Sequence, residues 1–178
     1  MNKLIIFPTD TVYGIGCHIF DLENIDNIYK IKKRSLDKPL ACLCANLNQI
    51  ESIAYVDEKT KKIINKFLPG PLTLILKSKQ EVVEKIGYKT IGVRIPNNGL
   101  ALEILSNIGP MLTTSVNDSG ETPINEYEEI LLKYNNLVDK IYPPYGESSN
   151  LSSTVVSVVD GFKVLREGAI SLNDILNV

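Results

Sequence analysis

Two patterns of apolar residues alternate along the chain. Short apolar runs rich in branched residues predict buried strands, and stretches with apolar residues at every third or fourth position predict helices. The predicted strands are residues 4–7, 40–45, 72–76, 91–95, 111–115, 138–142, 154–159 and 162–166. The predicted helices are residues 24–34, 57–68, 100–107, 127–133 and 171–176. Residues 9–16 contain two glycines and are predicted to form a loop.

The order of these elements predicts an α/β fold. Helices and strands alternate without a long linker or an internal repeat, which is typical of crossover connections between strands. Asp160 and Gly161 separate the last two predicted strands, and this pair is a strong hairpin signal. Crossovers and a hairpin together predict a mixed, twisted sheet with helices packed around it. At 178 residues, the chain is predicted to be one domain, residues 1–178.

Composition narrows the classes of function. The formal net charge is −2, so any contact with nucleic acid or a nucleotide must come from a local basic patch. Cys17, Cys42 and Cys44 have apolar neighbours and are expected to be reduced, buried thiols. With one histidine and no Cys-x-x-Cys pair, a structural zinc site is not expected. The first apolar run is too short for a signal peptide or a membrane span, so we expect a cytoplasmic protein with no membrane partner.

Arginine is rare in this chain. Only Arg34, Arg94 and Arg166 occur among 19 lysines and arginines. Arginine binds a carboxylate or a phosphate through two parallel hydrogen bonds, whereas lysine is a flexible point charge. The three arginines could be scattered surface residues. Because each lies within a compact motif, we favour an anion-binding cleft at which they meet.

The densest basic segment spans the end of a predicted helix and the loop after it. Its cations are Lys30, Lys32, Lys33, Arg34 and Lys38. One or two cations would offset the helix dipole, at about 0.3–1 kcal/mol each, so five favour a bound triphosphate over a solvated helix end. No Walker or dinucleotide-type glycine loop is present, so side chains would hold the nucleotide. Asp10, Asp118 and Glu121 match no metal motif, which favours magnesium carried by the nucleotide's own phosphates.

Three clusters of hydroxyl side chains lie beside predicted strands. Residues 9–11 follow the first strand, residues 113–120 lie at the end of another, and residues 148–154 precede a third. Serine and threonine often cap helices and make turns, but ligands in α/β folds bind at the carboxyl ends of strands. His18 has no Gly-x-Ser-x-Gly motif to accompany it, which disfavours a Ser-His-Asp hydrolase.

Seven motifs, taken in order, carry a resemblance to a known family. They lie at residues 8–14, 32–40, 69–73, 93–96, 114–120, 153–156 and 165–170. Single motifs such as Ser153-Thr154-Val155 are common, but the order and spacing of all seven over nearly the whole chain are specific. The sequence resembles the YrdC-like family of threonylcarbamoyl-AMP synthases. Because it ends shortly after the last motif, it resembles the short form.

The resemblance implies a deep, positively charged cavity on one face of the sheet. It implies a nucleotidyltransferase that forms threonylcarbamoyl-adenylate and pyrophosphate from L-threonine, bicarbonate and ATP. The ATP would bring its own Mg²⁺, and no prosthetic group or protein-bound metal is implied. The product would serve modification of the tRNA adenosine beside the anticodon, with tRNA reached directly or through downstream transfer proteins.

The resemblance also implies roles for individual residues. Lys32 and Arg34 would be catalytic. The residues expected to bind ATP are Lys30, Lys32, Arg34, Lys38, Thr90, Ser115, Asn117 and Arg166. The residues expected to bind threonine are Thr9, Thr11, Tyr13, Arg94, Thr113 and Ser153. Arg94 would be the clamp for the threonine carboxylate.

The sequence departs from the family pattern at several positions, among them Val116 and Ser152, and two other functions stay open. Residues 142–148 replace a glycine-rich approach to a strand, and Leu43 stands where many longer members have histidine. The main alternative is a non-catalytic RNA-binding YrdC-like module, because a concave basic surface can also receive an RNA backbone. The other is a carbamoyl-adenylate domain of hydrogenase maturation proteins, whose zinc-binding and acyl-phosphatase segments are not found in this sequence.

Overall fold

A computed structural model describes residues 3–176 of the chain. The strands in that range are β1 (Ile5–Phe7), β2 (Gly14–His18), β3 (Ala41–Leu43), β4 (Leu72–Lys77), β5 (Thr90–Arg94), β6 (Met111–Ser115), β7 (Lys140–Ile141), β8 (Thr154–Ser157) and β9 (Lys163–Arg166). The helices there are α1 (Leu22–Ile31), α2 (Leu47–Ile53), α3 (Glu58–Phe67), α4 (Gln80–Ile86), α5 (Gly99–Ile108), α6 (Tyr127–Tyr134) and α7 (Leu172–Leu176). Across residues 3–176, none of these helices has the length and apolar character needed to cross a membrane.

The strands form one mixed sheet, which confirms the predicted fold class. Their order is β7-β1-β2-β6-β3-β5-β4-β8-β9. The pairs β1–β7, β3–β5 and β4–β8 are parallel, and the remaining pairs are antiparallel. β8 and β9 pair antiparallel across Asp160 and Gly161, so the predicted hairpin is confirmed.

One face of the sheet forms the main core, because successive residues of a strand point to opposite sides. Its fully buried strand residues include Ile15, Cys17, Cys42, Leu74, Val93 and Leu112. Helices α1, α2, α3, α4, α6 and α7 pack on this face through buried isoleucine, valine and tyrosine side chains. The three cysteines lie here as free, buried thiols, as predicted.

The opposite face is only partly covered. Helix α5 packs Ala101, Ile104 and Leu105 against Phe7 and Met111 in a smaller core. Away from α5, the same face presents small or polar residues: Gly14, Ala41, Thr73, Gly92 and Thr113. Because these side chains are short, the sheet is concave there instead of packed.

The structure contains three elements that the sequence pattern does not predict. β2 begins at Gly14, so the prediction of a loop over residues 9–16 is wrong for its last three residues. The glycines are there because β2 approaches β6 closely: a Cβ on Gly16 would lie 2.6 Å from Thr113 Oγ1 and 2.9 Å from the Leu112 carbonyl oxygen. Helices α2 and α4 have seven residues each, too few to give a clear helical period.

Helix α1 is shorter than predicted, and its end places Arg34. The helix ends at Ile31, three residues before the predicted end. Lys33 adopts a left-handed φ of 50°, and the Arg34 amide donates to the Tyr29 carbonyl oxygen at 3.0 Å. This is the Schellman arrangement that commonly ends helices. It turns Arg34 out of the helix and into the loop before β3.

The close approach at Gly16 predicts a steric penalty for any side chain there. We expect Gly16→Ala to lower the free energy of unfolding by about 1–3 kcal/mol, the usual cost of overpacking. Urea denaturation measures this change. Gly92→Ala is the matched control, since its nearest neighbour is a movable methyl group of Thr73 at 3.2 Å. An equal loss in both variants would contradict the account of β2.

Candidate functional site

A cavity of about 320 Å³ lies against the uncovered face of the sheet. Nine of the fourteen predicted site residues line it: Thr9, Thr11, Tyr13, Arg34, Arg94, Thr113, Ser115, Ser153 and Arg166. The charged side chains among the described lining residues are the three arginines, so the predicted meeting of Arg34, Arg94 and Arg166 at one cleft is observed. Leu43 and Ile75 add apolar surface.

The cavity spans the face of the sheet and is not confined to one edge. Thr9 follows β1 and Ser115 ends β6, which are carboxyl ends of strands, as expected for an α/β ligand site. Ser153, however, precedes β8. β8 runs in the same direction as β6, so Ser153 lies toward the opposite edge. The third hydroxyl cluster precedes its strand, as predicted, and its Ser153 lies outside the carboxyl-end rule.

Arg94 is a buried arginine that ties three segments together. Its guanidinium pairs with the Asp10 carboxylate, donates to Thr11 Oγ1 at 2.8 Å and donates to the Gly70 carbonyl oxygen at 2.9 Å. These bonds use three of the five N–H donors that arginine has. Burial lowers the pKa of Arg94, and the Asp10 carboxylate opposes that shift. Asp10 thus balances the charge of Arg94 from behind the cavity.

Arg166 and Ser153 form the wall at the β8–β9 hairpin. Arg166 Nε donates to the Ser153 carbonyl oxygen at 3.0 Å and Nη2 approaches Ser153 Oγ at 3.3 Å. Ser153 Oγ also lies 2.8 Å from Thr73 Oγ1. The fully buried Thr154 hydroxyl donates to the Ile170 carbonyl oxygen at 2.8 Å. This wall is therefore fixed by hydrogen bonds between residues far apart in sequence.

Arg34 reaches the cavity from the basic segment. Its Nε donates to the Lys38 carbonyl oxygen at 2.8 Å and its Nη2 to the Pro39 carbonyl oxygen at 3.0 Å. These acceptors are neutral, so the guanidinium charge is not balanced by them. Two of the five donors are used within the described residues, which leaves three for a ligand.

Lys32 lies behind the cavity, not among the residues that line it. Its side chain is 2% exposed, and its ammonium donates to the Ser115 carbonyl oxygen and to the carbonyl and side-chain oxygens of Asn117, the latter two at 2.8 and 3.1 Å. Burial, with the nearby Arg34 charge, lowers the pKa of Lys32 to about 8. Lys32 therefore holds the segment after β6, and its contact with a triphosphate stays a prediction.

Four other predicted ATP-binding residues also lie outside the cavity lining. Lys30, Lys38 and Thr90 are exposed, and their contacts with a nucleotide stay predictions. Asn117 organises its own loop by donating to the carbonyl oxygens of Asp118 and Glu121, each at 2.8 Å. It supports Ser115, whose hydroxyl donates to the Asn117 side chain at 2.6 Å.

Tyr13 contacts residues 142–148, the segment that differs from the family pattern, beside the cavity. The Tyr13 hydroxyl donates to the Tyr142 carbonyl oxygen at 3.3 Å, and burial, with Tyr127 nearby, raises the pKa of Tyr13 to about 12. It therefore stays protonated at neutral pH. Further along the segment, the Tyr145 carbonyl oxygen accepts from Asn98 Nδ2 at 2.7 Å, so this segment is docked against the fold.

Two of the three carboxylates considered for magnesium are engaged elsewhere. Asp10 pairs with Arg94, and Asp118 pairs with the exposed Lys33. Among the described residues, no three histidine, cysteine or acidic side chains come together as metal ligands.

Sequence reasoning missed the residues that make the cavity hollow. Gly92, in the middle of β5, lines it without a side chain, and Thr73 and Ala41 are short. A glycine inside a strand is a known sign of close approach by a ligand or another backbone, so Gly92 was the available signal. Asp10 as the partner of Arg94 had no local signal, since 84 residues separate the two.

Comparison with known proteins identifies the family and supports the fold. The family model named Sua5/YciO/YrdC and described as telomere recombination matches residues 1–168. A relative from Methanocaldococcus jannaschii, provisionally named threonylcarbamoyl-AMP synthase, is 37% identical over 176 residues, covering 96% of this chain and 82% of that protein. Threonylcarbamoyl-AMP synthase of Bacillus subtilis is 32% identical over 180 residues, covering 98% of this chain and 52% of that protein. The crystal structure of P. abyssi Sua5 with L-threonine superposes with a TM-score of 0.89 at 29% identity, covering 98% of this chain and 53% of that one.

The fold and the site define an α/β protein with an arginine-lined cavity on the open face of a mixed sheet. The chain belongs to the Sua5/YciO/YrdC family. It spans most of the M. jannaschii relative but about half the length of the B. subtilis and P. abyssi proteins.

The Arg94–Asp10 pair predicts a strong dependence of stability on Asp10. Their side chains are 7% and 12% exposed, and removing one partner of a buried pair costs about 3–5 kcal/mol. We therefore expect Asp10→Ala to lower the free energy of unfolding by that amount in urea denaturation. Asp118→Ala is the control, because its ion pair with Lys33 is exposed and exposed pairs contribute little. Similar effects of the two substitutions would be inconsistent with a buried pair.

The lowered pKa of Lys32 predicts a pH dependence of stability. Between the folded pKa of about 8 and the ordinary value of 10.5, the unfolded chain binds more protons at Lys32, so stability rises with pH. We expect the free energy of unfolding of the wild type, relative to Lys32→Met, to increase from pH 8 to 10.5. The contributions of the other titrating groups to the pH dependence are common to both proteins and cancel in this difference. A flat difference would show that the three oxygen acceptors keep the ammonium charged.

Proposed function

We propose that this protein is a threonylcarbamoyl-AMP synthase. It would use L-threonine, bicarbonate and ATP to form threonylcarbamoyl-adenylate, pyrophosphate and water. The observation that carries the proposal is the meeting of three arginines and several threonine and serine hydroxyls in one cavity. Two comparisons support the choice of reaction. The B. subtilis relative is named threonylcarbamoyl-AMP synthase, and P. abyssi Sua5 is seen with L-threonine bound.

The reaction has two bond-forming steps. The threonine amine adds to the bicarbonate carbon and water leaves, which gives a carbamate. A carbamate oxygen then attacks the α-phosphorus of ATP and the bond to the bridging oxygen breaks, so pyrophosphate leaves. Because adenylyl transfer is the second step, the enzyme would be a nucleotidyltransferase. The protein's task is to hold the reactants in line and to stabilise charge on the departing pyrophosphate.

The charge distribution in the cavity suggests how the substrates divide it. Arg34 and Arg166 donate to neutral oxygens within the described residues, so their positive charges remain available for phosphates. The charge of Arg94 is balanced by Asp10, which suits a hydrogen-bonding clamp for the single charge of the threonine carboxylate. Two of its five N–H donors remain for that contact.

The hydroxyl groups complete the threonine part of the proposal. Thr9 and Thr11 lie 3.1 Å apart through their hydroxyl oxygens and stand beside Arg94, while Thr113 and Ser153 line the cavity from other strands. These groups, with Tyr13, are suited to the amine and hydroxyl of threonine. Lys32 would act by holding the Ser115–Asn117 segment, and Lys30, Lys38 and Thr90 would meet the nucleotide from the rim.

The proposal also covers the source of Mg²⁺, the transfer of the product to tRNA and the cellular compartment. Mg²⁺ would arrive with the phosphates of ATP, its usual mode of binding in phosphoryl-transfer enzymes, with no prosthetic group. The threonylcarbamoyl-adenylate would pass to tRNA directly or through downstream transfer proteins, in the cytoplasm.

The direct test is pyrophosphate release by the purified protein. We expect release to require threonine, bicarbonate and ATP together. We expect Arg34→Ala to lower the rate by at least about 100-fold, as for loss of one electrostatic donor in an active site, while circular dichroism shows an intact fold. Lys62→Ala is the matched control, because Lys62 is exposed on α3 and its rate should equal that of the wild type.

Two outcomes would overturn the proposal. Equal pyrophosphate release without threonine would point to ATP hydrolysis of another kind. Tight, steeply salt-dependent binding of tRNA with no turnover would instead support the non-catalytic RNA-binding module.

A further inference from the structure

The guanidinium of Arg34 is oriented by hydrogen bonds to a loop, and that loop needs contacts of its own to keep its position. The two acceptors of Arg34 are the carbonyl oxygens of Lys38 and Pro39, and both residues are exposed. An exposed loop without further support would allow these carbonyls to move. The position of Arg34 in the cavity therefore depends on what fixes residues 38–40.

Two tyrosines fix this loop. The Tyr29 hydroxyl donates to the Lys38 carbonyl oxygen at 3.1 Å, and it lies 2.8 Å from the Tyr88 hydroxyl. The Tyr88 hydroxyl accepts from the Leu40 amide at 3.1 Å. The loop is thus held at both ends by one chain of hydrogen bonds.

The direction of every hydrogen bond in this chain is determined. The Leu40 amide can only donate and the Lys38 carbonyl can only accept. Because the Tyr29 hydroxyl donates its hydrogen to the Lys38 carbonyl oxygen, the Tyr88 hydroxyl must donate its hydrogen to the Tyr29 oxygen. Burial, together with the Tyr88 hydroxyl, raises the pKa of Tyr29, so Tyr29 keeps the proton that it donates.

The tyrosines belong to rigid parts of the fold. Tyr29 is 7% exposed and packs from α1 into the main core. Tyr88 lies between α4 and β5 and packs against the same core. Leu40, at the other end of the chain of hydrogen bonds, is 2% exposed. The loop that holds Arg34 is therefore anchored to the main core from two separate elements.

We propose that Tyr88 and Tyr29 are a pair of positioning residues that orient Arg34 in the cavity through the loop at 38–40. Neither tyrosine lines the cavity among the described residues. They would act on the anionic substrate only through Arg34. The kinetic consequence rests on the proposed function, whereas the orientation of Arg34 does not.

The scarcity of arginine makes the orientation measurable. In a ¹⁵N-labelled sample the three arginines give three Nε–H resonances, and Arg34→Lys identifies that of Arg34. We expect Tyr29→Phe and Tyr88→Phe each to shift or broaden the Arg34 resonance and to leave those of Arg94 and Arg166 unchanged. Tyr134→Phe is the control, since Tyr134 is buried on α6 and takes no part in this chain of hydrogen bonds, and it should change none of the three. An unchanged Arg34 resonance in both test variants would overturn the proposal.

Kinetics supply the second readout. Removing one hydrogen bond costs about 1 kcal/mol. If this cost appears in the free energy of activation, each test variant should lower kcat/KM for ATP by roughly five- to tenfold. The double variant should lose less than the product of the two single losses, because both tyrosines belong to one chain of hydrogen bonds. Equal losses in Tyr134→Phe would overturn the proposal. If the wild type shows no threonine-dependent turnover, the proposed function fails, and the Arg34 resonance alone then decides whether the tyrosines position it.

Discussion

The buried ion pair between Arg94 and Asp10 is the constraint on which the cavity depends. A guanidinium cannot be buried in a sheet without a partner for its charge, and Asp10 reaches it from the loop after β1. The same guanidinium binds Gly70 in the turn before β4. One side chain therefore joins the end of β5, the loop after β1 and the turn before β4. Residues from all three surround the cavity or support its wall.

The cavity itself follows from the choice of short side chains on one face of the sheet. Gly14, Ala41 and Gly92 leave space that larger residues would fill. Helix α5 covers only the part of this face around Phe7, Leu43 and Met111. The opposite face compensates for the apolar contacts that are missing, because six helices of the described residues pack on it. The division between a packed face and a hollow face lets a chain of this size keep a stable core and an open polar site.

Sequence reasoning reached those features that have a local signal. The strand at Met111–Ser115 is marked by branched residues, and the helix that begins after Asp57 is marked by isoleucines at helical spacing. The arginine motifs correctly indicated one cleft. β2 was missed because its glycines imitate a loop, although they are required by the close approach to β6. The burial of Lys32 was not predictable, since its acceptors lie 83 and 85 residues away. The link between Tyr29 and Tyr88 likewise spans 59 residues and leaves no mark on either local sequence.

A crystal structure with a non-hydrolysable ATP analogue and L-threonine tests the central claim most directly. We expect the amino acid to lie against Arg94 and the hydroxyls of Thr9 and Thr11, with the phosphates of the analogue against Arg34 and Arg166. Ligand density at some other surface, with this cavity empty at saturating concentrations of both ligands, would contradict it.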